Sequence, residues 1–296
     1  FRALEGDWSG GDAALSLRLP DGRLLWLFGD SFVGDVTPEG RRADGTTIVR
    51  NAALISSGTC VTAVTPGRAT LPGRGGTWLW PTSLVLTGTA PDGTATVAVF
   101  AQRMASTGSG AWSFRRVGAA VVTLTVRPRG SARVASVRDL PRSSVLWGAA
   151  TVTQGGVTYV YGTRAVDEPL VFGRDLLVAR SRTSDVRDPG AWTYRTADGW
   201  SADARAAVAV VPARTGVSTN PAVVVRDGGF RIVTKPQEFL DDRVVVMSSP
   251  TPYGPWTSRT LFRSPSTATT PTYAPTVVAR GTAAHDVVVV NRTSTS

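Results

Sequence analysis

Apolar and polar positions alternate along this chain in short bursts that read as β-strands, and no stretch of ten or more residues holds a helical period. The first burst spans residues 13–19 and the second residues 23–28, with Pro20-Asp21-Gly22 as turn chemistry between them. Together they predict an antiparallel hairpin. Asp12 stands just before the first strand and Asp30 just after the second. Both carboxylates therefore leave the hairpin at the same end, although eighteen positions separate them in sequence.

The second strand of that hairpin, LLWLFGDS, has four later counterparts: TVAVFAQR (96–103), VTYVYGTR (157–164), FRIVTKPQ (230–237) and VVVVNRTS (287–294). Each is an apolar strand with a polar ending, and each follows another strand and a turn. Weaker strand pairs fill the intervals: 49–56 with 60–66, 119–126 with 132–137, 175–181 with 191–196, and 243–249 with 255–262. The repeating unit is four antiparallel strands, and there are five units. Four-stranded sheets repeated radially make a β-propeller, so the expectation is an all-β, five-bladed β-propeller in one domain. The blades are expected at about 7–70, 77–138, 145–200, 217–263 and 272–296. The last is short and is expected to borrow a strand from residues 1–6. A large β-sandwich, the main alternative, does not require a hairpin that recurs with the same polar ending.

Composition narrows the function. The chain has 296 residues and 42% hydrophobic content, enough for a substantial core. No apolar run approaches the roughly 18 residues of a membrane span. The single Cys60 rules out an internal disulfide and a Cys metal cluster, and it is expected to be a buried strand residue. The net charge of +10 comes almost wholly from arginine, with Lys235 the only lysine. A basic balance favours anionic partners, but the arginines are scattered singly, so no nucleic-acid role is expected. One histidine, His285, cannot build a His metal cluster. The P-loop, the dinucleotide fingerprint and the G-x-S-x-G elbow are all missing, so no metal and no cofactor is expected.

Several segments carry a likeness. These are Gly10-Gly11-Asp12, Trp26-Leu27-Phe28-Gly29-Asp30-Ser31, the run Leu177–Ser181 leading to Ala191-Trp192, and Val246–Trp256 with its Ser-Ser-Pro-Thr-Pro-Tyr-Gly-Pro-Trp link. On these segments the chain resembles the five-bladed propeller glycoside hydrolases: arabinanases, arabinofuranosidases, levansucrase-like enzymes and the secreted bacterial propellers that cleave D-arabinan. The resemblance implies a secreted hydrolase with its leader already removed, acting on an arabinan-like or other cell-wall glycan. It also implies a general-acid Glu at the head of an inner strand halfway round the ring. The heads here are Trp80-Pro81, Trp147-Gly148, Asn220-Pro221 and Tyr273-Ala274-Pro275, none of them acidic.

The loops that enter strand one and leave strand two of each unit are expected on one face of the ring. That face would carry Asp12 and Asp30, Trp80 and Arg103, Trp147 and Arg164, Asn220 and Lys235, and Tyr273 with Asn291. Aromatic faces stack on sugar C–H surfaces, and Arg and Asn donate to hydroxyls, so the expected partner is a carbohydrate substrate. Glycosidic cleavage needs two carboxyl groups, and two close aspartates push each other's pKa values apart. Asp12 and Asp30 are the expected catalytic pair, with Glu238 as reserve acid and Asp7 and Glu168 as further candidates. Asp21, Asp92 and Asp227 read as turn acids, and Trp192 and Trp256 as core. The chain is expected to act as a monomer. Its rivals are a non-catalytic sugar-binding propeller and a propeller lyase or transferase.

Overall fold

The computed structural model describes residues 8–110, 112–267, 269–278 and 287–292. Asp7, His285 and the expected closing segment 1–6 lie outside the described residues. Strand dominates, and the helical pieces among the described residues are 3-10 turns of three residues. The chain forms two compact units, the first holding described residues 8–140 with 278 and the second 141–277 with 287–292.

In the first unit, two four-stranded antiparallel meanders follow each other. One contains Leu15–Arg18, Leu24–Phe28, Ala52–Ser57 and Cys60–Ala63. The other contains Thr77–Thr89, Ala95–Ser106, Phe114–Val126 and Ala132–Asp139. The period-two pattern explains the packing. Leu25, Leu27, Ala53 and Ile55 of the first sheet join Val97, Val99, Val122 and Leu124 of the second in one buried cluster. Arg23 ties the same sheets at the turn end by donating to the carbonyls of Arg127 and Gly130, both at 2.7 Å. Asp21 is the turn acid the sequence implies, holding Arg23 at 2.8 Å. A small third sheet pairs Gly10–Gly11, Ser31–Val33 and Thr47–Val49.

In the second unit a five-stranded sheet runs from Leu146–Gln154 through Val157–Ala165, Arg174–Arg182 and Thr193–Arg195 to Trp200–Ser201. A four-stranded sheet contains Ala222–Arg226, Gly229–Thr234, Arg243–Ser249 and Thr257–Arg263. The pair Thr272–Val277 and Val288–Arg292 follows. Tyr161, Leu176 and Val178 pack against Ile232, Val245 and Met247. On the far side, Val233, Val244 and Val246 pack against Val277, Val288 and Val290.

Two expectations change. Cys60 is exposed. It begins a strand whose residues alternate between outward and half-buried, and it falls on the outward phase. The expected single strand 49–56 is broken at Arg50-Asn51. The buried Asn51 carboxamide donates to the carbonyls of Leu71 and Leu79, both at 3.0 Å, and accepts from the Leu71 N–H at 2.6 Å. A side chain used as a backbone partner replaces the ladder there.

Candidate active site

The first hairpin shows how two distant acids become neighbours. Its ladder pairs Leu15 with Leu27, and the small sheet resumes with Gly11 opposite Ser31. Between them, the Asp12 N–H donates to the Asp30 carbonyl at 3.0 Å, and the Gly29 N–H donates to the Asp12 carbonyl at 2.8 Å. Three residues stand on each strand between these pairs, so the register is kept while the regular ladder is interrupted. In this stretch Ala13 and Ala14 hold φ of 75° and 37°, a left-handed conformation that is costly for side chains with a Cβ. The strand kinks, and the kink falls at the acids.

The third member of this row is Arg50. Phe28 pairs with Ala52 and Ser31 pairs with Val49, so the register carries Asp30 opposite Arg50. The Arg50 Nη1 lies 3.2 Å from Asp30 Oδ2. The other carboxylate oxygen, Oδ1, accepts from the Trp80 indole N–H at 2.7 Å. Asp12, Asp30 and Arg50 form one cross-strand row, and Trp80 reaches it from the neighbouring sheet. Gly29 is the gap between these groups: a Cβ there would lie 3.5 Å from Asp12 Cβ and 3.8 Å from Trp80 Cδ1. Gly11 permits no such addition, since its Cβ would meet Ser31 Oγ at 2.5 Å. The buried Ser31 hydroxyl donates to the Gly29 carbonyl at 2.9 Å and fixes the bend.

Burial is the largest influence on Asp30 and raises its carboxyl above the ordinary aspartate value, against the opposing pull of Trp80 and Arg50. The pair therefore contains one acid that holds its proton more strongly than usual. Aromatic groups extend the site. Trp80 packs edge-on to Phe114 at 4.8 Å and to Trp78 at 5.9 Å, and the Arg50 guanidinium lies over the Trp78 ring at 4.4 Å.

Arg103, expected beside Trp80 as a substrate contact, is nearly buried. Its Nε and Nη2 hold Asp139 Oδ1 at 3.0 and 2.5 Å. It ties one edge of its sheet and leaves little guanidinium surface for a ligand.

The second unit holds the remaining expected residues. Glu238 follows the strand Gly229–Thr234 in a short turn, with a left-handed φ of 55°. Its Oε1 accepts from Arg174 Nε at 3.0 Å, from the Thr219 N–H at 2.6 Å and from the Thr219 hydroxyl. Arg164 pairs with Asp175 at 2.8 Å, and Asp175 also accepts from the Ala213 N–H at 2.9 Å. Asn220 is half-buried, and its Oδ1 has no hydrogen-bond partner among the described residues. Tyr273 pairs across the ladder with Asn291, whose amide donates to the Ala274 carbonyl at 2.9 Å.

Two of these placements depart from expectation. Trp147 is a core residue, 7% exposed, packed on Tyr194 at 5.0 Å and Trp192 at 6.4 Å. Gly162 makes room for it, because a Cβ there would touch the Trp147 ring at 2.7 Å. Lys235 is 0% exposed. Its ammonium donates to the Ser264 and Thr272 carbonyls, both at 3.0 Å, and to the Thr272 hydroxyl at 2.6 Å. Its strand ends inside the unit rather than at a surface, and loop carbonyls take the place of a ligand.

Arg50, Phe114, Arg174 and Thr219 escaped the sequence reading. A signal existed for Arg50: continuing the pairing of residues 24–28 with 52–56 by two positions puts it opposite Asp30.

Comparison with solved structures carries the fold. A putative hydrolase from Bacteroides ovatus matches 97% of this chain and 80% of its own, with a TM-score of 0.76 at 18% identity. A glycoside hydrolase family 43 arabinoxylan arabinofuranohydrolase from Bacillus subtilis, in complex with cellotetraose, matches 93% of this chain with a TM-score of 0.54 at 15% identity. This chain spans 58% of that protein's length. The fold is the five-bladed β-propeller that the recurring hairpins imply. No curated protein matches the sequence. The model of a family described as a domain of unknown function, DUF5005, matches residues 1–294.

Proposed function

The chain belongs to the DUF5005 family, and we propose that it is a glycoside hydrolase that cleaves a poly- or oligosaccharide with Asp12 and Asp30 as its carboxyl pair. One observation carries this reading: the Asp12 N–H donates to the Asp30 carbonyl across the end of one hairpin, and the Asp30 carboxyl has its proton affinity raised by burial. In this mechanism Asp30 is the general acid. It gives its proton to the leaving glycosidic oxygen, while Asp12, ionised, serves as base or nucleophile at the sugar carbon. Trp80 orients the Asp30 carboxyl through Oδ1 and offers an aromatic edge to the sugar. The likeness to a propeller named as an arabinoxylan arabinofuranohydrolase supports a cell-wall glycan as substrate, and the reading takes the site of action as extracellular. The reading takes the chain as one propeller domain acting as a monomer.

One observation favours a non-catalytic carbohydrate-binding propeller instead. Both Asp30 oxygens already accept a donor, as a structural carboxylate would. A single experiment separates the two readings. The chain is incubated with arabinan, arabinoxylan, xylan and β-glucan, and new reducing ends are measured. Release from one of them that disappears in D12N and D30N supports the hydrolase. Binding without release supports the lectin. An unsaturated product absorbing in the ultraviolet would instead mark a lyase.

A further inference from the structure

The aromatic groups around Trp80 continue outward along the first unit. Phe114 packs on Trp80 at 4.8 Å with its ring nearly perpendicular. Trp112 follows at 6.2 Å from Phe114, tilted by 43°. Exposure rises along the file: Trp80 and Phe114 are half-buried, whereas Trp112 is 66% exposed. Trp112 sits at the tip of the hairpin joining Ala95–Ser106 to Phe114–Val126. The Thr107 N–H donates to the Ser113 carbonyl at 2.9 Å, the Ser113 N–H to the Gly110 carbonyl at 2.9 Å, and the Phe114 N–H to the Trp112 carbonyl at 2.9 Å.

We propose that Trp112, with Phe114 beneath it, is a sugar-stacking subsite that receives a distal residue of a polysaccharide whose bond to be cleaved lies at Asp12 and Asp30. This rests on the carbohydrate reading of the site. The occupant follows from continuity: the file begins at the indole that donates to Asp30 and ends in solvent. An exposed indole offers an apolar face for the C–H surface of a sugar and an N–H for a hydroxyl. Such a group contributes affinity only to a ligand long enough to reach it. The substrate is therefore a chain of several sugars rather than a disaccharide.

The test measures binding, so that it does not depend on turnover. D12N, alone and combined with W112A or W112F, is titrated with soluble arabinan and arabinoxylan and with a disaccharide from each. W112A is expected to weaken polymer binding about tenfold, the scale of an aromatic anchor at an interface, and to leave disaccharide binding unchanged. W112F, which keeps an aromatic face, is expected to recover part of the loss. Equal affinities in W112A and its parent overturn the proposal. So does an equal loss for polymer and disaccharide, and so does the parent binding neither polymer. If the length-dependent loss appears and no glycan is cleaved by the unaltered chain, the subsite stands and the hydrolase reading falls.

Discussion

Trp80 and Asp30 belong to different sheets of the first unit, yet the indole N–H of one lies 2.7 Å from the carboxyl oxygen of the other. The acid thus answers to a neighbouring blade. Burial pushes its proton affinity up, and this hydrogen bond, with Arg50, pulls it down.

The first prediction follows from that opposition. W80F keeps a ring and removes the donor, so Asp30 should hold its proton more tightly. A general acid works while protonated, so its pKa sets the basic limb of the rate profile. That limb in kcat/KM should move to higher pH in W80F. An unmoved limb would separate Asp30 from the acid role.

The second concerns the pair itself. D12N and D30N should each lower kcat by about 10²-fold or more, in keeping with general acid–base contributions. Circular dichroism of both variants should match the parent. A folded double variant with full turnover would remove the mechanism and move the search to Glu238.

The third uses stability against pH. A carboxyl whose folded pKa is raised binds its proton more tightly in the folded state. Its contribution is fully present below the unfolded value near 3.8 and is lost as pH rises through the folded pKa. The Tm of D30N relative to the parent should therefore improve between about pH 3 and neutrality. Thermal melts across that range check it, and a difference that is flat or moves the opposite way would count against a raised Asp30.

The fourth tests Lys235 as a clamp. K235M removes the charged donor from the Ser264 and Thr272 carbonyls and the Thr272 hydroxyl, leaving them the weaker bonds made by Thr272 Oγ1 and Ser266 Oγ. A hydrogen bond to a charged group contributes about 1.5–3 kcal/mol, so Tm should fall clearly. The KM of the surviving folded protein should stay as it was. A raised KM with an unchanged Tm would return Lys235 to the substrate contacts.

Much of this was legible in the sequence because β-structure writes its faces with a period of two and its ends with turn residues. Asp12 and Asp30 could be paired on paper, since a hairpin's two ends are fixed by its turn. Trp80 could be placed at the head of a strand, but its bond to Asp30 depends on how one sheet packs on the next. Trp147 and Lys235 show the limit. Both stand at positions that the repeat alone assigns to one face of the ring. What decides their fate is local volume for one and facing carbonyls for the other: Gly162 opens a slot for the indole, and a loop around Ser264 closes over the amine. Those partners lie 15 and 29 residues away, and no strand pattern announces them.

The burial of Lys235 has a chemical consequence. It is the only lysine among the 32 cationic side chains of this sequence, so the folded surface is a guanidinium surface with no exposed lysine amine. A reagent that acylates amines can reach Lys235 only when its loop opens. The rate at which that one residue becomes labelled is therefore a clock for local unfolding of the second unit, readable by mass spectrometry without any engineered probe.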